Sequence, residues 1–284
     1  MAVLGRGEAT GGFSLLNALG LGYGCSLGLD LKVRAMLRDT PPRSPPDDPH
    51  GLLAAVEAAW LEVGLELPDE EYYWQIRSEV PSGVGLKSSA GVAVASLRAL
   101  ADATDAELET HQIVDLAARA QLACGCSLTG SIDDAWAAAE PGWKVVDPQL
   151  PAAEGVVLAG EFPDPEEWVV FIIERGERSV EIDPNAFAMA AGQFEKALMA
   201  LQRNALLVAL TENGRGVAQA TRDTLGRKNS SDALVWGARG AGISGFGPAL
   251  VVIMPESQDA TINRVIEMFE SRGFDMIETK VRSE

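Results

Sequence analysis

Histidine and cysteine are scarce in this sequence. Its 284 residues include two histidines, His50 and His111, and three cysteines, Cys25, Cys124 and Cys126. Neither histidine lies in a nucleophilic or metal-binding pattern, and an isolated Cys-Gly-Cys segment is poor spacing for zinc. Three cysteines are also too few for a disulfide framework. These absences speak against a histidine-based mechanism, a zinc site and a disulfide-stapled fold.

Long apolar runs are absent as well. No stretch reaches the roughly 18 apolar residues of a membrane span. The N-terminus, with Arg6 and Glu8, lacks the apolar segment of a secretory signal. The length allows one large domain or two modest ones, and a hydrophobic content of 47% is typical of a globular protein. We therefore expect a soluble cytoplasmic protein with no membrane partner.

Basic residues are outnumbered by acidic ones. Lysine and arginine total 23 against 41 acidic residues, only six of the basic residues are lysines, and the net charge is −18. Such a balance argues against nucleic acid as a partner. The acidic residues are spread along the chain instead of forming a tail. This pattern suggests adaptation to high salt, where screening weakens the repulsion between like charges.

What the sequence does contain is a glycine-rich and serine-rich loop between a predicted strand and a predicted helix. Aromatic and β-branched residues favour a strand over 71–80, and small apolar residues favour a buried helix over 90–103. Between them, Gly83 and Gly85 allow positive φ and a close approach of a ligand to the main chain. Ser88 falls at the helix start, where free N–H groups and the helix dipole attract an anion.

An ordinary turn is the alternative interpretation of this loop, with Ser88 or Ser89 serving only as the helix cap. The loop is also not a Walker A motif, because Leu86 stands where that motif requires glycine. A helix dipole contributes only about 0.3–1 kcal/mol to an exposed anion. Triphosphate binding would therefore need the loop amides, Lys87 and a metal ion as well.

The rest of the chain is predicted to alternate between strands and helices. The first half is predicted to contain a strand over 2–10, a helix over 13–21, a strand ending at 37, an exposed loop over 38–49, helices over 51–64 and 106–123, and a polar link over 140–155. The second half is predicted to contain a strand over 168–173, helices over 187–211, 217–225, 230–240 and 260–272, and a strand over 276–281.

Three glycine-rich segments at this spacing resemble the three signatures of the GHMP kinase superfamily. They are PSGVGLKSSAG from residue 81, TGSIDDA from residue 129 and GAGISGFGPAL from residue 240. Within the superfamily the sequence is most similar to the archaeal shikimate kinase family, and the similarity covers essentially the whole chain. The N-terminal part of that pattern is supplied by Asn17, Ala18, Gly22, Gly24, Gly28, Leu29, Asp30 and Leu31.

The resemblance implies that the second signature wraps the phosphates of ATP. The implied cofactor-binding residues are Pro81, Ser82, Gly83, Val84, Gly85, Leu86, Lys87, Ser88, Ser89 and Ala90, together with Gly245 and Gly247 of the third signature. The Ser89 hydroxyl would be a ligand of Mg²⁺. Lys87 would act in catalysis by neutralising charge on the triphosphate, and its alternative role is a solvated lysine near a helix start. The glycines of the third signature can equally serve only to turn the chain.

Asp133 aligns with the carboxylate that many members of the superfamily use to orient or deprotonate the attacking hydroxyl. A carboxylate within hydrogen-bonding reach can accept that proton late in phosphoryl transfer. Asp134 is adjacent, so the assignment can slip by one residue. The alternative is that Thr129, Ser131 and Asp133 cap the following helix.

One departure from the superfamily pattern concerns the metal. Several members carry a glutamate about eleven residues before the catalytic aspartate, where this chain has Gln121 and Leu122. Either Ser89, phosphate oxygens and water hold the ion, which suits Mg²⁺, or Asp115 or Asp133 contributes.

The implied reaction is ATP-dependent phosphorylation of shikimate, with homoserine, mevalonate or pantoate as alternative acceptors. A non-catalytic nucleotide-binding homologue is a further alternative. Arginine or lysine should bind the acceptor carboxylate, and the candidates are Lys32, Arg34, Arg203 and Arg239, with Asp133 at the reacting hydroxyl.

The implied fold is an α+β fold of two domains, for which we expect a boundary at residue 157. Residues 1–157 would form a domain like domain 2 of ribosomal protein S5, and residues 158–284 would form a ferredoxin-like domain. We expect a monomer or a homodimer.

Overall fold

The computed structural model describes residues 2–130, 132–177 and 181–283. The elements of its first half are β1 (Val3–Leu16), α1 (Ala18–Leu21), β2 (Gly24–Arg38), α2 (Leu52–Glu62), β3 (Tyr73–Ser78), α3 (Ser88–Thr104), α4 (Thr110–Ala123), α5 (Ile132–Ala139), β4 (Trp143–Val146) and β5 (Val156–Gly160). The elements of its second half are β6 (Trp168–Ile173), α6 (Pro184–Met189), α7 (Ala191–Leu201), α8 (Leu206–Ala220), α9 (Thr224–Val235), β7 (Gly240–Ile243), β8 (Leu250–Pro255), α10 (Asp259–Glu270) and β9 (Met276–Thr279).

A long antiparallel pair, β1 and β2, organises the first sheet. β2 pairs with β4 through its first four residues and with β3 through its last six, and β5 adds to β4. Helix α3 packs closely on β1 because Gly5 and Gly7 carry no side chain. A Cβ atom on Gly7 would lie 2.0 Å from the carbonyl oxygen of Ala95 in α3. These glycines therefore set the distance between the strand and the helix that follows the phosphate loop.

The second sheet is antiparallel, with the strand order β7-β8-β6-β9. Alternation along β6 divides its side chains between two hydrophobic clusters. Val169, Phe171 and Ile173 pack in a cluster with residues of α10, whereas Val170 and Ile172 join the larger cluster that continues into the first sheet. This shared core joins the two halves. The two antiparallel sheets with their helices confirm the predicted α+β class.

The end of the chain returns to the first sheet. Leu29 forms an isolated antiparallel bridge with Val281. The amide of Asp30 donates to the carbonyl of Lys280 at 2.9 Å, and the amide of Arg282 donates to the carbonyl of Gly28 at 3.0 Å. Strand β5 spans residue 157, where the domain boundary was expected, and that boundary stays a prediction. No helix in the described residues is long and apolar enough to cross a membrane.

Several predicted elements are wrong. The helix expected over 13–21 is mostly strand, because β1 continues to Leu16 and only the four-residue α1 follows. The expected helix over 187–211 is broken into α6, α7 and the start of α8, with Asn204 in the left-handed region at φ 54° between α7 and α8. The helix expected over 217–225 is the end of α8 and the start of α9. The expected polar link over 140–155 contains β4.

Candidate active site

The loop that leads into α3 has the geometry of an anion cradle. Gly83 and Gly85 have φ angles of 73° and 92°, and Lys87 is also left-handed at φ 63°. Ser88 and Ser89 are the first two residues of α3. The unpaired N–H groups of a helix's first turn, together with the helix dipole, favour a negative charge at this position. The predicted phosphate loop thus lies at a helix N-terminus, as expected from its sequence.

The third glycine-rich segment is bound directly to this loop. The Ser244 hydroxyl donates to the carbonyl of Gly85 at 2.7 Å, and the amide of Ala249 donates to the carbonyl of Val84 at 3.0 Å. A Cβ atom on Gly85 would lie 2.4 Å from the Ser244 carbonyl oxygen. The backbone approach between the two segments therefore requires glycine at position 85.

Buried asparagines join the third segment to the first strand. Asn17 donates through its side-chain amide to the Gly245 carbonyl at 2.9 Å, and its backbone amide donates to the Asn213 side chain at 2.9 Å. Asn213, which is fully buried in α8, returns a hydrogen bond to the Ser14 carbonyl at 3.2 Å. Sequence reasoning missed Ser14 and Asn213. A polar side chain among the apolar positions of α8 was the available signal.

We expect Gly85→Ala to weaken ATP binding at least tenfold, because the new methyl group would push the phosphate loop away from Ser244. Strain at positive φ adds roughly 1–3 kcal/mol. Gly83→Ala is the matched control, since Gly83 also has positive φ but a Cβ atom added there would meet nothing within 4 Å. Calorimetric titration with ATP measures the effect. Equal affinities for the two variants would contradict the proposed packing constraint.

Two adjacent carboxylates begin helix α5 beside the phosphate loop. Asp133 is 3% exposed, and the Ser26 hydroxyl lies 2.7 Å from its Oδ2 atom and 3.0 Å from Oδ1 of Asp134. Lys87 Nζ forms an ion pair with Asp134 Oδ1 at 2.7 Å. The Lys87 side chain is therefore buried and paired with Asp134, and it is not a solvated surface lysine. Ser26, on β2, was not identified from the sequence.

Burial and the neighbouring charge of Asp134 raise the pKa of Asp133 to about 8, against the smaller lowering effects of Lys87 and the Ser26 hydrogen bond. Gly24 is needed beside it, since a Cβ atom there would lie 2.4 Å from Asp133 Oδ1. Asp133 is thus a buried group whose proton is held more tightly than that of an ordinary carboxyl. Its deprotonated form, which becomes the major form above about pH 8, is a stronger base than an ordinary carboxylate and is suited to accepting a proton.

The raised pKa predicts a pH-dependent stability. Between about pH 4 and pH 8 the folded protein holds a proton on Asp133 that the unfolded chain has released, so the free energy of unfolding falls as pH rises through this window. One such group contributes a slope of at most about 1.4 kcal/mol per pH unit. Urea unfolding of wild type and Asp133→Asn from pH 4 to pH 9 isolates this slope. If the free energy of unfolding depends on pH in the same way in both proteins, the raised pKa of Asp133 is contradicted.

The expected metal ligand Ser89 lies against Gln121. The Ser89 hydroxyl donates to Gln121 Oε1 at 3.1 Å, while the Gln121 amide nitrogen donates to the Ala117 carbonyl at 3.2 Å. Two neutral oxygens thus meet at the N-terminus of α3. Gln121 is buried, whereas Ser89 lines the cavity and its hydroxyl oxygen fits Mg²⁺, which takes oxygen ligands and keeps waters and phosphate oxygens in its shell. Within the described ranges, no group of three histidine, cysteine or acidic side chains could hold a metal ion.

A cavity of about 290 Å³ brings most of the predicted phosphate-binding residues together with Asp133 and Asp134. Its lining residues are Ser14, Leu16, Asn17, Ala18, His50, Ser82, Gly83, Gly85, Leu86, Lys87, Ser88, Ser89, Gly125, Cys126, Ser127, Thr129, Asp133, Asp134, Gly245 and Phe246. Pro81, Val84, Ala90 and Gly247 do not line it. Ser131, one of the alternative helix caps, lies outside the described residues.

The predicted carboxylate-binding residues do not reach this cavity. Lys32 lines a separate cavity of about 440 Å³ with Arg98 and Arg282. Arg239 is exposed just before β7, and its backbone amide donates to Ile253. Arg34 forms an ion pair with Glu8 and, like Arg203, does not line the cavity, so none of the four predicted carboxylate partners reaches it.

Comparison with known proteins agrees with the three signatures. A family model described as the GHMP kinases N-terminal domain matches residues 52–142. A shikimate kinase of Methanococcoides burtonii is 27% identical over 100% of this chain and 98% of its own length, and one of Pyrococcus furiosus is 28% identical over 98% of this chain and 99% of its own length. The mevalonate kinase structure of Methanococcus jannaschii matches the fold with a TM-score of 0.75 at 13% identity, covering 98% of each chain. The signatures, the family model over residues 52–142 and the full-length similarity agree in making this chain similar to GHMP kinases.

Proposed function

We propose that this protein is a shikimate kinase that transfers the γ-phosphoryl group of ATP to the 3-hydroxyl of shikimate. The observation that carries the proposal is similarity over the whole chain to proteins named shikimate kinase. The local geometry supports it, because a helix N-terminus for phosphates and a buried carboxylate for a hydroxyl proton line one cavity.

The proposed chemistry uses this chain's residues in three roles. The loop amides and the N-terminus of α3 bind the phosphates. Asp133 orients the 3-hydroxyl and accepts its proton as the hydroxyl oxygen bonds to the γ-phosphorus and the bond from that phosphorus to the ADP oxygen breaks. Lys87, held by Asp134, places a positive charge beside the transferring group.

Ser89, which lines the cavity, would hold Mg²⁺ through its hydroxyl oxygen, and Gln121 would orient that hydroxyl by accepting its hydrogen bond. When bound, Mg²⁺ neutralises charge on the β- and γ-phosphates. A carboxylate from the protein is not needed at this position, because phosphate oxygens and water can complete the shell.

The alternative is a kinase of homoserine, mevalonate or pantoate, because such kinases share the glycine-rich loops of this site. A nucleotide-binding protein without activity is disfavoured, because Lys87, Ser89 and Asp133 are all present and lie in one cavity. The similarity to shikimate kinases at 27–28% identity, against 13% for the mevalonate kinase structure, favours shikimate.

The cellular setting is part of the proposal. The acidic composition supports a salt-adapted enzyme that does not bind nucleic acid. We further propose that it is cytoplasmic and acts as a monomer or a homodimer. Equal folding and activity at low and molar salt would contradict the salt adaptation.

An ADP-release assay with shikimate, homoserine, mevalonate and pantoate, run from low to molar salt, tests the acceptor. We expect turnover with shikimate to exceed the others at least a hundredfold in kcat/KM. Phosphorus NMR of the product should show one new phosphate monoester on the 3-hydroxyl. Absence of shikimate turnover at every salt concentration would overturn the proposal.

A further inference from the structure

An acceptor with a carboxylate needs a cationic side chain as its partner, and Lys87 in the phosphate cavity is already paired with Asp134. Among the described residues that line this cavity, Lys87 is the only lysine or arginine. Its ammonium group is 2.7 Å from Asp134, and its side chain is largely buried. Because Lys87 is committed to Asp134 and to the triphosphate, the acceptor carboxylate must be bound from another side.

A second cavity of about 310 Å³ adjoins the first, and Phe246 lines both. It lies at the end of the second sheet where β6 ends, β8 begins and the third glycine-rich segment turns. Arg175 and Arg222 are among its lining residues. The cavity therefore adjoins the phosphate cavity at Phe246, and its charged lining residues are Arg175 and Arg222 together with Glu177 and Asp223.

Arg175 is already occupied. Its guanidinium forms a two-pronged ion pair with Asp223, with Nη1 at 3.1 Å from Oδ1, and its Nε atom donates to the Pro248 carbonyl at 2.7 Å. Burial acts to raise the pKa of Asp223, but the hydrogen bonds from Arg175 and the Gly226 amide hold that pKa below its ordinary value. This ion pair stays charged at neutral pH and fixes the segment between α8 and α9.

Arg222 precedes Asp223 in the sequence, and it differs from the buried, paired Arg175 in exposure and in its contacts. It is exposed, and in the described part of the chain its side chain makes no hydrogen bond or ion pair. Its backbone is left-handed at φ 57°, just after the C-terminus of α8, a position that glycine most often occupies. The chain thus presents an uncommitted guanidinium from a rigid turn at the wall of the cavity.

We propose that Arg222 binds the carboxylate of the acceptor and makes this second cavity the acceptor-acid subsite. The inference rests on the proposed small-molecule kinase function. A guanidinium matches a carboxylate with two parallel hydrogen bonds, which gives direction as well as affinity. The carbon skeleton of the acceptor then packs against Phe246, with its hydroxyl toward Asp133 and its carboxylate toward Arg222. Arg222 is a specificity-determining residue in this arrangement.

Steady-state kinetics of Arg222→Ala and Arg222→Lys test the subsite. We expect Arg222→Ala to raise the KM for the acid acceptor about 10- to 100-fold, the range for one charge-assisted hydrogen-bonded pair. The KM for ATP should stay within twofold of wild type, and Arg222→Lys should recover part of the loss. Arg227→Ala is the matched control, because Arg227 is an exposed arginine in α9 that does not line the cavity.

The methyl ester of the acceptor separates carboxylate binding from a general disturbance. Wild type should lose affinity for the ester, whereas Arg222→Ala should treat the acid and the ester alike. An acid KM in Arg222→Ala within twofold of wild type, or an equal preference for the acid over the ester in both proteins, would overturn the inference. Shikimate, homoserine, mevalonate and pantoate all carry a carboxylate, so the test applies to whichever acceptor is turned over. If the enzyme phosphorylates another of these acids, the proposed shikimate kinase function is refuted. The comparison of acid and ester still tests the role of Arg222 in that case.

Discussion

Asp133→Asn should lower kcat by about 10²- to 10⁴-fold, the usual contribution of a positioned proton acceptor. The substitution keeps the shape of the side chain and its place beside Ser26, 2.7 Å away, but removes the basic oxygen. ATP binding should change little, because the loop and the N-terminus of α3 are untouched. Stopped assays for kcat and calorimetric titration with ATP measure the two quantities separately.

Asp134→Asn is the matched control for this variant. Asp134 begins the same helix, but its Oδ1 atom is held by Lys87 at 2.7 Å and by the Ser26 hydroxyl at 3.0 Å. Its ion pair with Lys87 therefore commits Asp134 to placing the lysine instead of contacting the reacting hydroxyl. We expect Asp134→Asn to reduce kcat less than Asp133→Asn. Unchanged turnover in Asp133→Asn, or a larger loss in Asp134→Asn, would reject the role of Asp133 as proton acceptor.

The parts of the site that the sequence predicts are those encoded by neighbouring residues. Gly83, Gly85 and the serines at the start of α3 lie within one segment, and their conformations depend on local sterics and helix geometry. Asp133 was found through its motif. Ser26 and Asn213 were missed because they reach the site through contacts with residues 107 and 196 positions away. No local pattern contains such information.

The errors in the fold have the same origin. Residues 13–16 were predicted as the start of a helix, but pairing with β2 at Phe13 and Ser14 extends the strand through them. The apolar periodicity over 187–211 continues across the left-handed Asn204, so the break between α7 and α8 has no periodic signal. Tertiary contacts decide these boundaries, and an isolated sequence window does not include them.

Replacement of Lys87 should have the second large effect, because it disturbs both charge and packing. Lys87→Met keeps the length of the side chain but leaves Asp134 with no cation at 2.7 Å. Removing one partner of a buried ion pair typically costs about 3–5 kcal/mol, and since Asp134 is about one fifth exposed we expect the lower end of that range. We also expect kcat to fall about 10²- to 10³-fold through loss of transition-state charge stabilisation.

The double variant Lys87→Met/Asp134→Asn separates the two effects. Replacing both partners removes the uncompensated carboxylate, so the free energy of unfolding should return toward the wild-type value. Turnover should stay low, because no positive charge remains beside the transferring phosphoryl group. Lys87 also lowers the pKa of Asp133, so the rise of kcat/KM with pH should move to higher pH in Lys87→Met. Urea unfolding and pH profiles of the three proteins measure these outcomes. Recovery of turnover together with stability in the double variant would assign Lys87 a structural role and remove it from the chemistry.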